Sequence, residues 1–169
     1  MSQCRVKKFI KGLAGEITIP SDKSISHRAV MLASMAKGKS IIKNFSHGQD
    51  PYSTLRVCKS LGIETEFNDD LIIKSTGKLI APTQRLDCGN SGTTMRLLSG
   101  ILASQNFNST LIGDESLSKR PMKRVIEPLS QMGADILSTD FHAPLVITGK
   151  NLHGINYKSK LASAQVKSC

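Results

Sequence analysis

Apolar positions follow two rhythms along the chain. Ile17-Thr18-Ile19 alternates into Pro20, which predicts a strand running into a loop. Ala29, Val30, Leu32, Ala33, Met35 and Ala36 line one face at helical spacing, which predicts a helix over 24–36, closed by Lys37-Gly38. Ser40 to Asn44 reads as a strand. Pro51 suits the first turn of a second helix carrying Tyr52, Leu55, Val57, Cys58 and Leu61, and Gly62 stops it. Ile63 to Phe67 and Leu71 to Lys74 flank Asn68-Asp69-Asp70, a hairpin signal. The order β-loop-α-β-α-β-β then recurs: Arg85 to Cys88, Gly92 to Ala103, Ser109 to Ile112, Pro121 to Met132, and a hairpin from Ala134 to Ile147.

This recurrence is visible in the letters themselves. Leu32-Ala33-Ser34 matches Leu102-Ala103-Ser104, Ile42 matches Ile112 and Pro51 matches Pro121, all at a spacing of about 70 residues. Arg28 with Arg96, Gly62 with Gly133 and Thr76-Gly77-Lys78 with Thr148-Gly149-Lys150 keep that spacing within a few residues. A period this long makes each copy a whole subdomain. The fold class expected is α/β (α+β), with repeats over 15–84 and 85–154, a third beginning over 155–169, and a strand segment over 1–14. The third copy stops early in an amphipathic helix, and such elements cannot bury their faces alone. The pattern therefore predicts a fragment of a longer protein, prone to self-association on its own.

Composition narrows the class. With 39% apolar residues, a mean hydropathy of −0.14 and 169 residues, the chain can bury a core as one domain or two small ones, which excludes disorder. The apolar stretch Ala29 to Ala36 is short and broken by Ser34, so no membrane span is expected. The opening MSQCRVKKFIKGL lacks an apolar signal region. Cys4, Cys58, Cys88 and Cys169 show no CxxC spacing, which argues against zinc and for reduced thiols in the cytoplasm. Lys and Arg give a net charge of +10 and a pI near 9.7, which favours anionic partners. Aromatics at 4%, without Trp, argue against single-stranded nucleic acid.

Candidate chemistry sits where a loop enters a helix: PSDKSISHR (Pro20 to Arg28), DCGNSGTTMR (Asp87 to Arg96) and ASAQVKS (Ala162 to Ser168). Free amides and the positive dipole end suit phosphate or carboxylate there. Lys23, Ser24, Ser26 and Arg28 surround the first start. Gly92 lets backbone approach a ligand and Asn90 offers an amide at the second. Ordinary capping by Ser and Asn explains each loop taken singly. In DESLSKRPMKR, Pro121 marks a helix start and places Arg120 at its cap, suited to an anion. Lys123 and Arg124 read as a solvated face, and His27 as structural. His27, His47, His142 and His153 lack metal spacing, and no GxSxG, GxGxxG, P-loop or HExxH motif occurs.

The stretches PSDKSISHRAVMLASMAKG, LDCGNSGTTMRLLSGILA, GDESLSKRPMKRVIEPLSQMGA and LASAQVKS, in this order and spacing, closely resemble the 5-enolpyruvylshikimate-3-phosphate synthase family. Ala164 and the SLSKRPM wording look like its glyphosate-tolerant class. The resemblance implies an inverse α/β prism of βαβαββ units, and transfer of enolpyruvyl from phosphoenolpyruvate to the 5-hydroxyl of shikimate 3-phosphate without metal or cofactor. It also implies aromatic amino-acid biosynthesis in the cytoplasm, a monomeric whole protein, and no nucleic acid or membrane. By the family's pattern Lys23 contacts both substrates. Ser24, Arg28, Ser163, Ala164 and Gln165 bind shikimate 3-phosphate, and Asn90, Gly92, Arg120 and Gln165 bind phosphoenolpyruvate. The family's acid–base groups lie outside this stretch, so little turnover is expected from it alone. The alternatives are a UDP-N-acetylglucosamine enolpyruvyl transferase, whose reactive Cys has no counterpart in Ser116 to Arg120, and a non-catalytic anion- or nucleic-acid-binding module.

Overall fold

A computed structural model describes residues 14–159 and 162–169, together with Arg5 and Gly12. The elements run α1 (Lys23–Met35), β1 (Lys37–Ile42), α2 (Gln49–Ser60), β2 (Glu64–Phe67), β3 (Leu71–Thr76), β4 (Leu86–Asp87), α3 (Gly92–Ala103), β5 (Asn108–Ile112), α4 (Glu115–Ser118), α5 (Lys123–Gln131), β6 (Asp135–Thr139), β7 (His142–Thr148) and α6 (Ala164–Ser168). The result is a mixed α/β architecture with two sheets.

The first sheet has the order β1-β3-β2 and is antiparallel throughout. The second has the order β4-β5-β7-β6; β4 runs parallel to β5 and the other pairs are antiparallel. In both, the hairpin's second strand is central, and its alternate residues, Leu71 and Ile73 in β3 and Leu145 and Ile147 in β7, are buried. α1 and α2 cover the first sheet around Val30, Ala33, Leu55, Cys58 and Ile63, where Phe45 meets Tyr52 edge-on. α3 and α5 cover the second around Met95, Leu98, Leu102, Val125 and Leu129, and Met31 of α1, with Val57 and Leu61 at α2, joins this larger core. Gly62 ends α2 at φ +89, and a Cβ there would lie 2.8 Å from Ile80 Cγ1.

Several expectations shift. Ile17-Thr18-Ile19 is not a strand: both isoleucines are exposed and their backbone joins no ladder among the described residues. Alternation supplies a face, but a strand also needs a neighbouring edge, which β4 finds in β5. The strand read at 40–44 begins earlier, at Lys37, and gives way to a turn where Asn44 takes φ +49. Pro51 does lie in the first turn of α2, as expected, behind the cap Gly48. Pro121 does not open a helix, because α5 starts at Lys123 behind a Met122 cap and the short α4 intervenes. Arg120 therefore follows α4 rather than capping α5. Residues 155–159 are not in a strand, and Lys160 and Leu161 lie outside the described residues, as do Cys4 and most of the 1–14 segment.

Candidate functional site

The start of α6 meets α3 through Gln165, and α1 reaches the far end of α6 through Arg28 and Ser168. α1 is capped by Asp22, whose Oδ1 accepts from the Ile25 amide at 2.7 Å. Lys23 and Ser24 follow in the first turn, both exposed. Lys23 Nζ donates to Asp50 Oδ2 of α2 at 3.1 Å. Arg28, one turn on, donates to the Ser24 carbonyl at 3.2 Å and to Ser168 Oγ of α6 at 2.8 Å.

α3 begins differently. Its cap is Ser91, whose Oγ accepts from the Thr94 amide at 3.1 Å. Gly92 opens the helix, and a Cβ on it would stand 2.7 Å from Nη1 of Arg96 and 3.6 Å from Nη1 of Arg120. The glycine thus lets the Arg96 guanidinium close on the first turn, with Arg120 in ordinary contact beside it. Arg96 is 7% exposed and its Nε finds no partner. Burial first, then the charges of Arg124 and Arg120, pull its pKa below the usual arginine value. Arg120 is fastened to Asn90: Nη2 donates to Asn90 Oδ1, and Nη1 to the Asn90 carbonyl at 3.3 Å. Asn90 Nδ2 donates in turn to Asp114 Oδ2 at 2.7 Å. The Leu117 amide and then Asn90 hold the Asp114 carboxyl below its ordinary range.

α6 closes the region. Gln165 Nε2 donates to Thr93 Oγ1 at 3.2 Å, and its Oε1 accepts from Arg96 Nη1 at 3.3 Å. Ser163 is the half-buried N-cap, without a side-chain cap bond. Ala164 is exposed, and its carbonyl accepts from Ser168 Oγ at 2.7 Å.

Asn90, Gly92, Arg120 and Gln165 are therefore gathered at α3, whereas Arg28 reaches α6 at Ser168, its last helical residue, and Ser24 joins only through its carbonyl to Arg28. Lys23 faces Asp50 instead. Lys123 is exposed and pairs with Glu127 at 3.5 Å, in keeping with a solvated face. Arg96, Thr93 and Asp50 were missed in the sequence, although Arg96 carries a usable signal as the repeat partner of Arg28. Among the described residues, no group of three or more His, Cys, Asp or Glu could hold a metal ion, and no helix is long and apolar enough to cross a membrane. Burial pushes the Cys58 thiol up to about 11 and the Cys88 thiol higher still, so both stay protonated at neutral pH.

A sequence model of the family described as EPSP synthase (3-phosphoshikimate 1-carboxyvinyltransferase) matches residues 7–169. A 3-phosphoshikimate 1-carboxyvinyltransferase from Thermodesulfovibrio yellowstonii is 54% identical over 170 residues, covering 97% of this chain and 40% of the relative. One from Koribacter versatilis is 52% identical over 160 residues, covering 93% and 38%. The solved EPSP synthase from Acinetobacter baumannii superposes with a TM-score of 0.88 at 45% identity, covering 91% of this chain and 36% of that one. The chain thus spans about two fifths of the length of the relatives it matches.

Proposed function

Since the chain belongs to the EPSP synthase family, we propose that it carries part of the surface on which enolpyruvyl passes from phosphoenolpyruvate to the 5-hydroxyl of shikimate 3-phosphate. In that reaction C2 of phosphoenolpyruvate gains the 5-oxygen, passes through a tetrahedral ketal and loses phosphate. Both substrates are compact anions. Asn90, Gly92, Arg120 and Gln165 take phosphoenolpyruvate at the start of α3. Ser24, Arg28, Ser163, Ala164 and Gln165 take shikimate 3-phosphate between α1 and α6, and Lys23 reaches both once released from Asp50. Cations and helix starts stabilise negative charge as it moves between oxygens. What this stretch contributes is binding and orientation rather than proton transfer.

The observation that carries the reading is Gly92 beside two guanidiniums, with the buried Nε of Arg96 unpartnered. A neutral cap and two cations without an ion-pair partner among the described residues form a surface to which an anion brings the missing charge. In the fuller reading, residues 15–84 and 85–154 are two βαβαββ units of an inverse α/β prism and 155–169 begins a third; the strand segment expected over 1–14 falls almost wholly outside the described residues. The whole protein would act as a cytoplasmic monomer.

Calorimetric titration of the chain with shikimate 3-phosphate at low and moderate salt, with shikimate as control, tests the proposal. Binding that needs the phosphate and survives moderate salt supports it. No binding by a folded chain overturns it.

A further inference from the structure

A buried line of polar side chains runs from the first copy into the second. His27 of α1 is fully buried, and its Nδ1 lies 2.6 Å from Thr54 Oγ1 of α2. Thr54 Oγ1 is 2.7 Å from Thr94 Oγ1 of α3, and Thr94 Oγ1 donates to Ser91 Oγ at 2.7 Å. Ser91 is the cap that accepts the Thr94 amide immediately beside Gly92. Thr54, Ser91 and Thr94 are, like His27, 0% exposed.

Proton counting orders this line. Thr94 gives its hydroxyl proton to Ser91, so it accepts from Thr54. Thr54 has then used its only proton and accepts from His27, which must carry hydrogen on Nδ1. A neutral imidazole has one N–H, leaving Nε2 bare. That atom is buried and without a partner. Burial keeps the ring neutral, against the opposing pull of Asp50 and with the help of Lys23 and Arg28. Every dipole then points toward the Ser91 cap, an arrangement in which successive bonds strengthen one another.

We propose that His27 is a positioning residue for the anion site at α3. Its Nδ1–H holds Thr54, Thr94 and the Ser91 cap in register, so that the first-turn amides stay aimed at the ligand and the α1 and α3 substrate sites are locked to one another. This rests on α3 being an anion site, as proposed above. An unsatisfied Nε2 is unfavourable in a core. A ring that was there only to pack would be better served by an apolar side chain, whereas one that must donate from Nδ1 tolerates the bare nitrogen.

Three variants of the full chain test the inference: His27→Asn, whose Nδ2–H stands near the position of Nδ1–H; His27→Phe, which keeps the ring and loses the donor; and Thr54→Val, which removes the middle link without touching His27. In the unmodified chain, imidazole nitrogen NMR is expected to show the Nδ1–H tautomer. Loss of one buried partner is expected to speed Thr94 amide exchange about tenfold in His27→Phe and Thr54→Val, with exchange at Leu111 unchanged. Phosphoenolpyruvate affinity falls by about the same factor, and His27→Asn stays within about threefold on both readings. An Nε2–H tautomer, or Thr94 exchange unchanged in a folded His27→Phe and Thr54→Val, overturns the role of His27. Loosened Thr94 exchange rescued by Asn, in a chain that takes up no phosphoenolpyruvate, overturns the anion site at α3 and leaves His27 as a support of the cap alone.

Discussion

The starts of α1 and α3 each follow a loop into a helix and differ in charge. At α1 the cap is a carboxylate, Asp22, and Lys23 is drawn to a second carboxylate, Asp50. At α3 the cap is the neutral Ser91, and Arg96 and Arg120 stand beside Gly92 without an ion pair among the described residues. Both helices present the same free amides, so backbone geometry is not what separates them. A carboxylate cap already satisfies the dipole that an incoming anion would use. The α3 end keeps its field for a ligand, and the α1 end must give up internal partners before it can offer Lys23.

The largest expected contrast lies in the cores. Leu111→Ala, in the larger cluster under α3 and α5, is expected to cost about 3–5 kcal/mol, and Ile73→Ala in the smaller first cluster about 2–3 kcal/mol. Urea unfolding reads the loss. Amide exchange should find the smaller cluster opening at lower free energy, and equal protection in both would break the contrast.

Next is acid. His27 is held at a pKa of about 4, chiefly by burial, against an ordinary 6.5. The unfolded chain therefore binds the extra proton first, and stability that is full above pH 6.5 drains away as pH falls toward 4. The loss is up to about 3 kcal/mol, read by urea midpoints at pH 7 and 4.5, and His27→Asn should remove that share of the slope.

At the α3 start, Gly92→Ala drives a methyl to within 2.7 Å of Arg96 Nη1. The displaced guanidinium should weaken phosphoenolpyruvate binding about thirtyfold while the fold persists, a charge-assisted contact being worth roughly 2 kcal/mol. Calorimetry decides it, and unchanged affinity would place the ligand elsewhere.

The smallest effect belongs to α1. Asp50→Asn frees Lys23 from an exposed pair, so shikimate 3-phosphate should bind a few-fold tighter, by less than about 1 kcal/mol, with the gain fading as salt rises. Weaker binding would show that Asp50 positions Lys23 rather than competing for it.

What could be read from the letters was whatever depends on near neighbours. The helix expected from Gly92 to Ala103 forms over those residues because its periodic apolar face and its Ser cap agree. The turn Asn68-Asp69-Asp70 joins the hairpin expected there. Misplaced elements share a cause: a local pattern was complete but the deciding partner was distant. Ile17 to Ile19 alternates but joins no ladder among the described residues. Pro121 has the right ring for a helix start, yet Met122 is tied by its amide to the Phe141 carbonyl and α5 begins after it. At the site, Asn90, Gly92 and Arg120 could be singled out because unusual residues cluster in loops. The pairing of Lys23 with Asp50 and the line from His27 to Ser91 could not, since each joins residues far apart in sequence.

The seat of α6 makes one thiol a clock. Cys169 Sγ lies 2.9 Å from the Arg96 carbonyl, and Gly100 faces it with no side chain of its own: a Cβ there would stand 2.5 Å from the Cys169 carbonyl carbon. Burial lifts its pKa to about 11. Cys58 and Cys88 are sealed in the cores. Among the described residues, then, a thiol-specific reagent reaches the half-buried Cys169 first, and faster when α6 lifts from α3. The labelling rate rises as Gln165 releases Arg96 and Thr93, so a ligand that bridges the two helices should slow it.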